Sequence, residues 1–214
     1  MTSGTRPARS RDRADGRAFL CRAVRRPHLF GSPAPSGAPL GTQVANLLPD
    51  SGTPTVVVEL GAGTGALTSR IHQRLPAGSR LLAIELDEVL AAHLAAHLPA
   101  VDVRQGDAER LPALLAEAGI ARADTVVTSL PWTLLPGRRR DALLDAVAGA
   151  LTPDGFATAI VTRTALPGRV RELRSAFEAR FVEVTTLPTV WRNLPPAAVL
   201  VARRPRAAQI ADAS

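Results

Sequence analysis

The chain has 214 residues, 46% of them apolar, enough for one α/β domain with a full core and a short extension. No apolar run approaches the roughly 20 residues a membrane helix needs; the single cysteine, Cys21, excludes an intramolecular disulfide and a cysteine zinc cluster, and a cytoplasmic protein is expected. The net charge of +7 comes from arginine without lysine and sits at the ends, with +6 in residues 1–40, −1 in residues 41–200 and +2 in residues 201–214, so an anionic partner is expected there.

Met1 to Ser10 is polar, and Arg13 to Arg26 reads as a helix stopped by Pro27. Phe19, Leu20, Ala23 and Val24 give it an apolar stripe bordered by arginines, and Arg22 interrupts it too early for a signal peptide. Two readings stay open: the helix of residues 13–26 lies on an anionic membrane surface, or it packs its stripe on the domain with its arginines in water. Phe30 to Pro39 is a loop rich in Gly, Pro and Ser, followed by a short apolar helix over Leu40 to Leu48. From Thr55 the pattern alternates, with strands near 55–60, 80–85, 101–105, 124–129 and 155–162 and helices between them. A helix over Arg169 to Arg180 and strands over Phe181 to Val190 and Ala197 to Arg203 finish the fold. This order predicts a doubly wound, mostly parallel sheet. The expected division is a basic extension over residues 1–40, a ligand-binding domain over 41–204 and a loose tail over 205–214.

The chain is organised around Val56-Val57-Val58-Glu59-Leu60-Gly61-Ala62-Gly63-Thr64-Gly65-Ala66-Leu67. An apolar β-branched run breaks into three glycines at alternate positions, and a helical pattern follows with Leu67, Ile71 and Leu75 on one face. That is strand, tight turn and helix, the first crossover of a nucleotide-binding sheet. A dinucleotide fingerprint can be forced onto Gly61 to Ala66, but Glu59 would repel a pyrophosphate. A ligand carrying an ammonium and a sulfonium would favour that carboxylate. A second apolar strand ends in Glu85, 20 residues after Gly65, where an acid can accept ribose hydroxyls. A third ends in Gly106-Asp107-Ala108, and a fourth runs into Ser129-Leu130-Pro131-Trp132.

These four motifs, in this order, resemble the class I S-adenosylmethionine-dependent methyltransferases. The resemblance implies a seven-stranded Rossmann-like sheet with an antiparallel C-terminal pair. It implies S-adenosyl-L-methionine as cofactor, held by Glu59, Gly61, Ala62, Gly63, Gly65, Glu85, Leu86, Gly106, Asp107, Ala108 and Ser129. Asp107 would take the adenine amino group. Further features narrow the match: the Pro35-Ser36 loop, Ser129-Leu130-Pro131, and Val190-Trp191-Arg192-Asn193-Leu194-Pro195-Pro196-Ala197. Over about residues 17–204 the chain looks like the soluble bacterial phospholipid N-methyltransferases, which methylate phosphatidylethanolamine and bind membranes peripherally through a basic N-terminal helix. Trp132 departs from the aliphatic residue expected after Ser-Leu-Pro.

The chemistry implied is direct displacement by a neutral amine nitrogen, in which positioning carries most of the catalysis. The Ser129 hydroxyl and Leu130 carbonyl would hold the amine hydrogens, Pro131 would shape the bend, and Trp132 would cover the cation that forms, a contact worth about 0.5–2 kcal/mol. Arg138, Arg139 and Arg140 open a helix, where cations are unfavourable by roughly 0.3–1 kcal/mol unless a phosphate offsets them. With Trp191 they are the candidate contacts to a lipid headgroup, Arg163 and Arg192 being weaker ones; a solvated charge run is the plainer account. His93 and His97 share a helical face, but no third ligand accompanies them and no metal is assigned. His28 would reach the site only if the N-terminal segment folds over it, so no general base is assigned.

Three other readings stay open. Ser-Leu-Pro-Trp is close to the Asn-Leu-Pro-Tyr of ribosomal RNA adenine dimethyltransferases, although Ser129 replaces the asparagine and no extra C-terminal helical domain follows. A small-molecule methyltransferase acting on an amine or hydroxyl also fits the motifs. A basic binding module without activity would retain the fold, but the intact acid and glycine set argues for cofactor binding.

Overall fold

The computed structural model describes residues 38–49 and 52–206. The helix expected at 13–26, Cys21, His28, Pro35-Ser36 and most of the C-terminal tail lie outside them.

Among the described residues fifteen elements follow in chain order. They are α1 (Ala38–Ala45), β1 (Val56–Leu60), α2 (Ala66–Arg74), β2 (Arg80–Glu85), α3 (Glu88–His97) and β3 (Asp102–Gln105). A 3-10 turn (Ala108–Arg110), α4 (Leu111–Glu117), β4 (Ala123–Thr128) and a second 3-10 turn (Trp132–Leu134) follow. The chain closes with α5 (Gly137–Ala150), β5 (Leu151–Thr162), α6 (Pro167–Glu178), β6 (Phe181–Thr186) and β7 (Ala197–Pro205).

The strands form one seven-stranded sheet in the order β3-β2-β1-β4-β5-β7-β6. The pairs from β3 through β5 are parallel, and β7 is antiparallel to both β5 and β6. The chain order reverses between β1 and β4, the switch point where open α/β sheets bind ligands at the carboxyl ends of the strands.

Both faces of the sheet are covered. Val57, Leu81, Ala83, Val127 and Val199 pack under α1, α2 and α3. Val58, Leu60, Leu82, Ile84 and Val126 pack under α4, α5 and α6. Neighbouring valines on β1 thus serve opposite faces, which is why the strand reads as a continuous apolar run rather than an alternating one. Each buried Val, Leu or Ile contributes about 1.5–3 kcal/mol over its exposed state.

Two strand bounds depart from the sequence pattern for local reasons. β5 starts at Leu151, which pairs with Ala123 before the register shifts around Pro153 and Gly155. Proline and glycine there mark an irregularity inside the strand rather than its edge. β6 ends at Thr186, ahead of Pro188, and beyond it the pairing continues through Leu187 N donating to Val199 O and an isolated bridge between Val190 and Ala197.

Candidate active site

The glycine turn after β1 is held in place by its neighbours. Gly61 N donates to Ile84 O at 2.9 Å, and Gly65 N donates to Ala62 O at 3.0 Å. Gly63 and Gly65 have φ of +56° and +83°, the left-handed region that side chains rarely adopt. A Cβ on Gly65 would lie 2.3 Å from Leu94 Cδ1, so that glycine admits α3 against the turn. A Cβ on Gly63 would meet nothing within 4 Å, so there the backbone itself faces open space. That surface is available to a ligand lying against the main chain.

Glu59 is fully buried beneath this turn. Among the described residues neither of its carboxylate oxygens has a hydrogen-bond partner, and the hydroxyl of Thr68 on α2 faces it without closing a bond of good geometry. Burial pushes its pKa up to about 8; the Thr68 hydroxyl opposes that rise and the charge of Glu85 adds to it. A buried acid without a partner is costly unless a cation comes to it. Ala62, in the same turn, is buried as well.

Glu85, at the tip of β2, is 2% exposed and already engaged. Its Oε2 accepts from Gly63 N at 2.7 Å and its Oε1 from Asp87 N at 2.9 Å. Each oxygen keeps a second acceptor position. Leu86 is half-buried, and its carbonyl accepts from Gln105 Nε2 at 3.0 Å. Gly106 N donates to Glu85 O at 2.8 Å, which brings the tips of β2 and β3 together, and Ala108 is buried. Asp107 caps the following 3-10 turn through Glu109 N at 3.1 Å. Its Oδ2 also accepts from Arg139 at 3.2 Å.

The fourth strand delivers Ser129 to the same place. Ser129 N donates to Leu60 O at 2.9 Å, tying the Ser-Leu-Pro bend to the start of the glycine turn. A Cβ on Gly61 would come within 3.1 Å of Leu130 Cδ2, so the two segments are in contact. Ser129 is half-buried, and the Leu130 carbonyl already accepts from Trp132 N at 2.8 Å. Pro131 precedes the 3-10 turn that turns the chain away from β4.

Trp132 is a correction. It is 1% exposed and lies in the core rather than over the site. Its indole N–H donates to Thr128 Oγ1 at 2.6 Å, and the Thr128 hydroxyl donates to Thr158 O at 2.8 Å. Its ring meets the edge of Phe177 at 5.7 Å between centroids, and Phe177 stacks on Phe181 at 5.9 Å. A tryptophan fits after Ser-Leu-Pro because α6 supplies Phe177 to pack against it, itself backed by Phe181 of β6. Phe177 is visible in the sequence, but only the fold brings it to Trp132.

The arginine run is also divided. Arg139 pairs with Asp107 and Glu109, and Arg140 pairs with Asp141 and Glu172. Their charges are answered within the protein, so the unfavourable placement at the start of α5 needs no outside phosphate. Arg138 is exposed. Trp191 is exposed on the loop between β6 and β7, on the same edge of the sheet as Ser129 but apart from the glycine turn. His93 and His97 stack at 3.9 Å between centroids, and His97 bonds the His93 carbonyl.

A family model described as a methyltransferase domain matches residues 57–155, from β1 to the bulge of β5. The ornithine lipid N-methyltransferase of Singulisphaera acidiphila is 33% identical over 179 residues, covering 76% of this chain and 90% of that protein. Among solved structures, the 1,6-didemethyltoxoflavin-N1-methyltransferase of Burkholderia thailandensis with bound S-adenosylhomocysteine superposes with a TM-score of 0.63 at 19% identity. It covers 95% of this chain and 93% of its own. The O-methyltransferase of Bacillus cereus in complex with S-adenosylhomocysteine gives a TM-score of 0.64 at 14% identity, over 89% and 91% of the two chains. At these identities the two structures share the fold.

Proposed function

Because this chain belongs to the S-adenosylmethionine-dependent methyltransferases, we propose that it methylates the primary amine of a membrane amino lipid. The observation that carries this is the lipid N-methyltransferase relative, whose match covers 76% of this chain and 90% of that protein. Phosphatidylethanolamine is the acceptor implied by the sequence resemblance, whereas the relative is named for ornithine lipid, an acylated amino acid without phosphate. The internal pairing of Arg139 and Arg140 removes much of the argument for a phosphate partner and favours the second acceptor.

The residues fit the donor. Glu59 offers a buried carboxylate to its ammonium, and Gly61, Gly63 and Gly65 give it backbone at close range. Glu85 has acceptor positions left for ribose hydroxyls, and Asp107 stands ready for the adenine amino group at the tip of β3. When bound, S-adenosylmethionine supplies an electrophilic sulfonium methyl. The chain's own part is orientation: the Ser129 hydroxyl accepts a hydrogen from the neutral acceptor amine and aims its lone pair at the glycine turn. The Leu130 carbonyl contributes its remaining acceptor position.

Incubation with labelled methyl donor tests this. Ornithine lipid and phosphatidylethanolamine are offered separately in detergent, beside ribosomal RNA and a pool of water-soluble amines. Label in either lipid is the expected result and names the acceptor. Label confined to RNA or to soluble amines overturns the proposal.

A further inference from the structure

Few large apolar side chains are exposed, and they are not scattered. Among the described residues they are Val89, Leu134, Leu166, Val182, Trp191 and Leu194. Four of them follow the carboxyl ends of β4, β5 and β6, on the edge that carries Ser129. Leu134 lies in the 3-10 turn after β4, Leu166 directly before α6, and Trp191 and Leu194 in the loop between β6 and β7.

That loop holds its side chains outward. Leu187 N donates to Val199 O at 2.8 Å, and Val190 N donates to Ala197 O at 2.8 Å, closing both sides of the turn. Asn193 points inward at 2% exposure, with its Nδ2 donating to Pro195 O at 2.7 Å. Trp191 and Leu194, either side of it, are left 71% and 78% exposed. The β5–β7 register seats this loop beside the next one, through Arg163 N donating to Pro196 O at 2.8 Å. An apolar cluster fixed in water marks an interaction surface.

The charge around it is one-sided. Residues 129–140, 163–171 and 187–196 contain no aspartate or glutamate. Arg138, Arg163 and Arg192 are exposed there, and no acid pairs with them among the described residues. Val89, by contrast, sits between Glu88 and Leu90 at the acidic start of α3, and Val182 is at the far end of β6.

We propose that this edge docks on an anionic lipid bilayer, with Trp191 and Leu194 entering the headgroup layer and Arg138, Arg163 and Arg192 against lipid phosphates. Tryptophan prefers the membrane–water interface, and exposed arginine is drawn to an anionic leaflet. Aliphatic Leu166 and Leu194 suit lipid and would be wasted against a nucleic-acid backbone. The proposal rests on the amino-lipid reading in one respect: docking here presents a lipid amine to Ser129 while the lipid stays in its membrane. It is a surface distinct from residues 13–26.

The test uses the full chain and vesicles of equal parts phosphatidylcholine and phosphatidylglycerol, which hold no amine acceptor. Trp132 is buried, so a change in tryptophan emission on binding reports Trp191. The expected result is a blue shift with quenching by brominated lipid, absent in Trp191→Phe. Partitioning falls about tenfold in Arg163→Glu/Arg192→Glu, with S-adenosylhomocysteine affinity and thermal melting as in the parent. Vesicle binding with unmoved Trp191 emission overturns the proposal and moves docking to another surface. So does a Trp191 shielded from acrylamide in the free protein, which means the chain's own N-terminal segment or a second copy covers the edge. So does protection of Trp191 by RNA but not by vesicles. Docking without label on any lipid in detergent would instead remove the amino-lipid reading and leave the docking surface standing.

Discussion

The ligand edge of the sheet has two unlike halves. Over β1, β2 and β3 it is acidic and drawn inward: Glu59 and Glu85 are buried, Asp107 is held by Arg139, and the backbone turns on glycines with positive φ. After β4, β5 and β6 the first stretches of chain, residues 129–140, 163–171 and 187–196, carry no acid, and they hold arginines and bare apolar side chains out to solvent. The seam is the hydrogen bond from Ser129 N to Leu60 O. One half suits a small cation taken from water, and the other suits a surface that is itself apolar and anionic. On the proposed docking, a single edge keeps two chemically opposite partners apart while bringing them to one serine.

The comparison breaks most severely at the wall beneath the second half. Trp132→Ala should cost ~3–5 kcal/mol of stability, read by denaturant unfolding, because it empties a site lined by Phe177 and Thr128. Trp132→Phe should lower the melting temperature far more than it alters the acceptor KM, which separates a core role from a cation-covering one.

Glu59→Gln tests the first half in two directions. The carboxyl ionises near 4.5 when unfolded and near 8 when folded, so the folded state holds the extra proton between those values. The ligand-free protein should therefore lose stability as pH rises from about 4.5 to about 8, and the glutamine variant should not. At pH 8 the variant should be more stable by on the order of 2–4 kcal/mol. It should also bind S-adenosylhomocysteine ~10–100-fold more weakly by calorimetry, since a charged hydrogen bond is lost.

Smaller effects sharpen the seam. Ser129→Ala should lower kcat ~10-fold with the donor affinity unchanged, in steady-state and binding measurements together. Arg139→Gln should raise the donor KM about threefold and leave the acceptor KM alone, because its charge steadies Asp107 rather than a headgroup. The opposite split would return Arg139 to the lipid side.

How much of this was legible in the chain itself varies by element. The glycine turn, the acid ending β2 and the Ser-Leu-Pro bend are local signals, because tight backbone geometry and strand-end placement restrict the residues that fit. The order of strands and helices followed from hydrophobic period alone, and it predicted a doubly wound sheet. The start of β5 did not follow, since Pro153 and Gly155 look like a boundary when their pairing partner, Ala123, is out of view. The roles of Trp132 and the arginine run failed for a related reason. A side chain's partner is set by what the fold places opposite it, and Phe177, Glu172 and Asp107 are all far away in sequence.

The sequence by itself determined the alternating order of strands and helices, the glycine turn after β1 and the acids at the strand ends, because each depends on neighbours within one crossover. Only the tertiary structure decided that Trp132 is core, that Arg139 and Arg140 are answered internally, and that Trp191 and Leu194 share an edge with Ser129. Those outcomes depend on long-range packing and pairing, and no pattern within a single segment carries the identity of a distant partner.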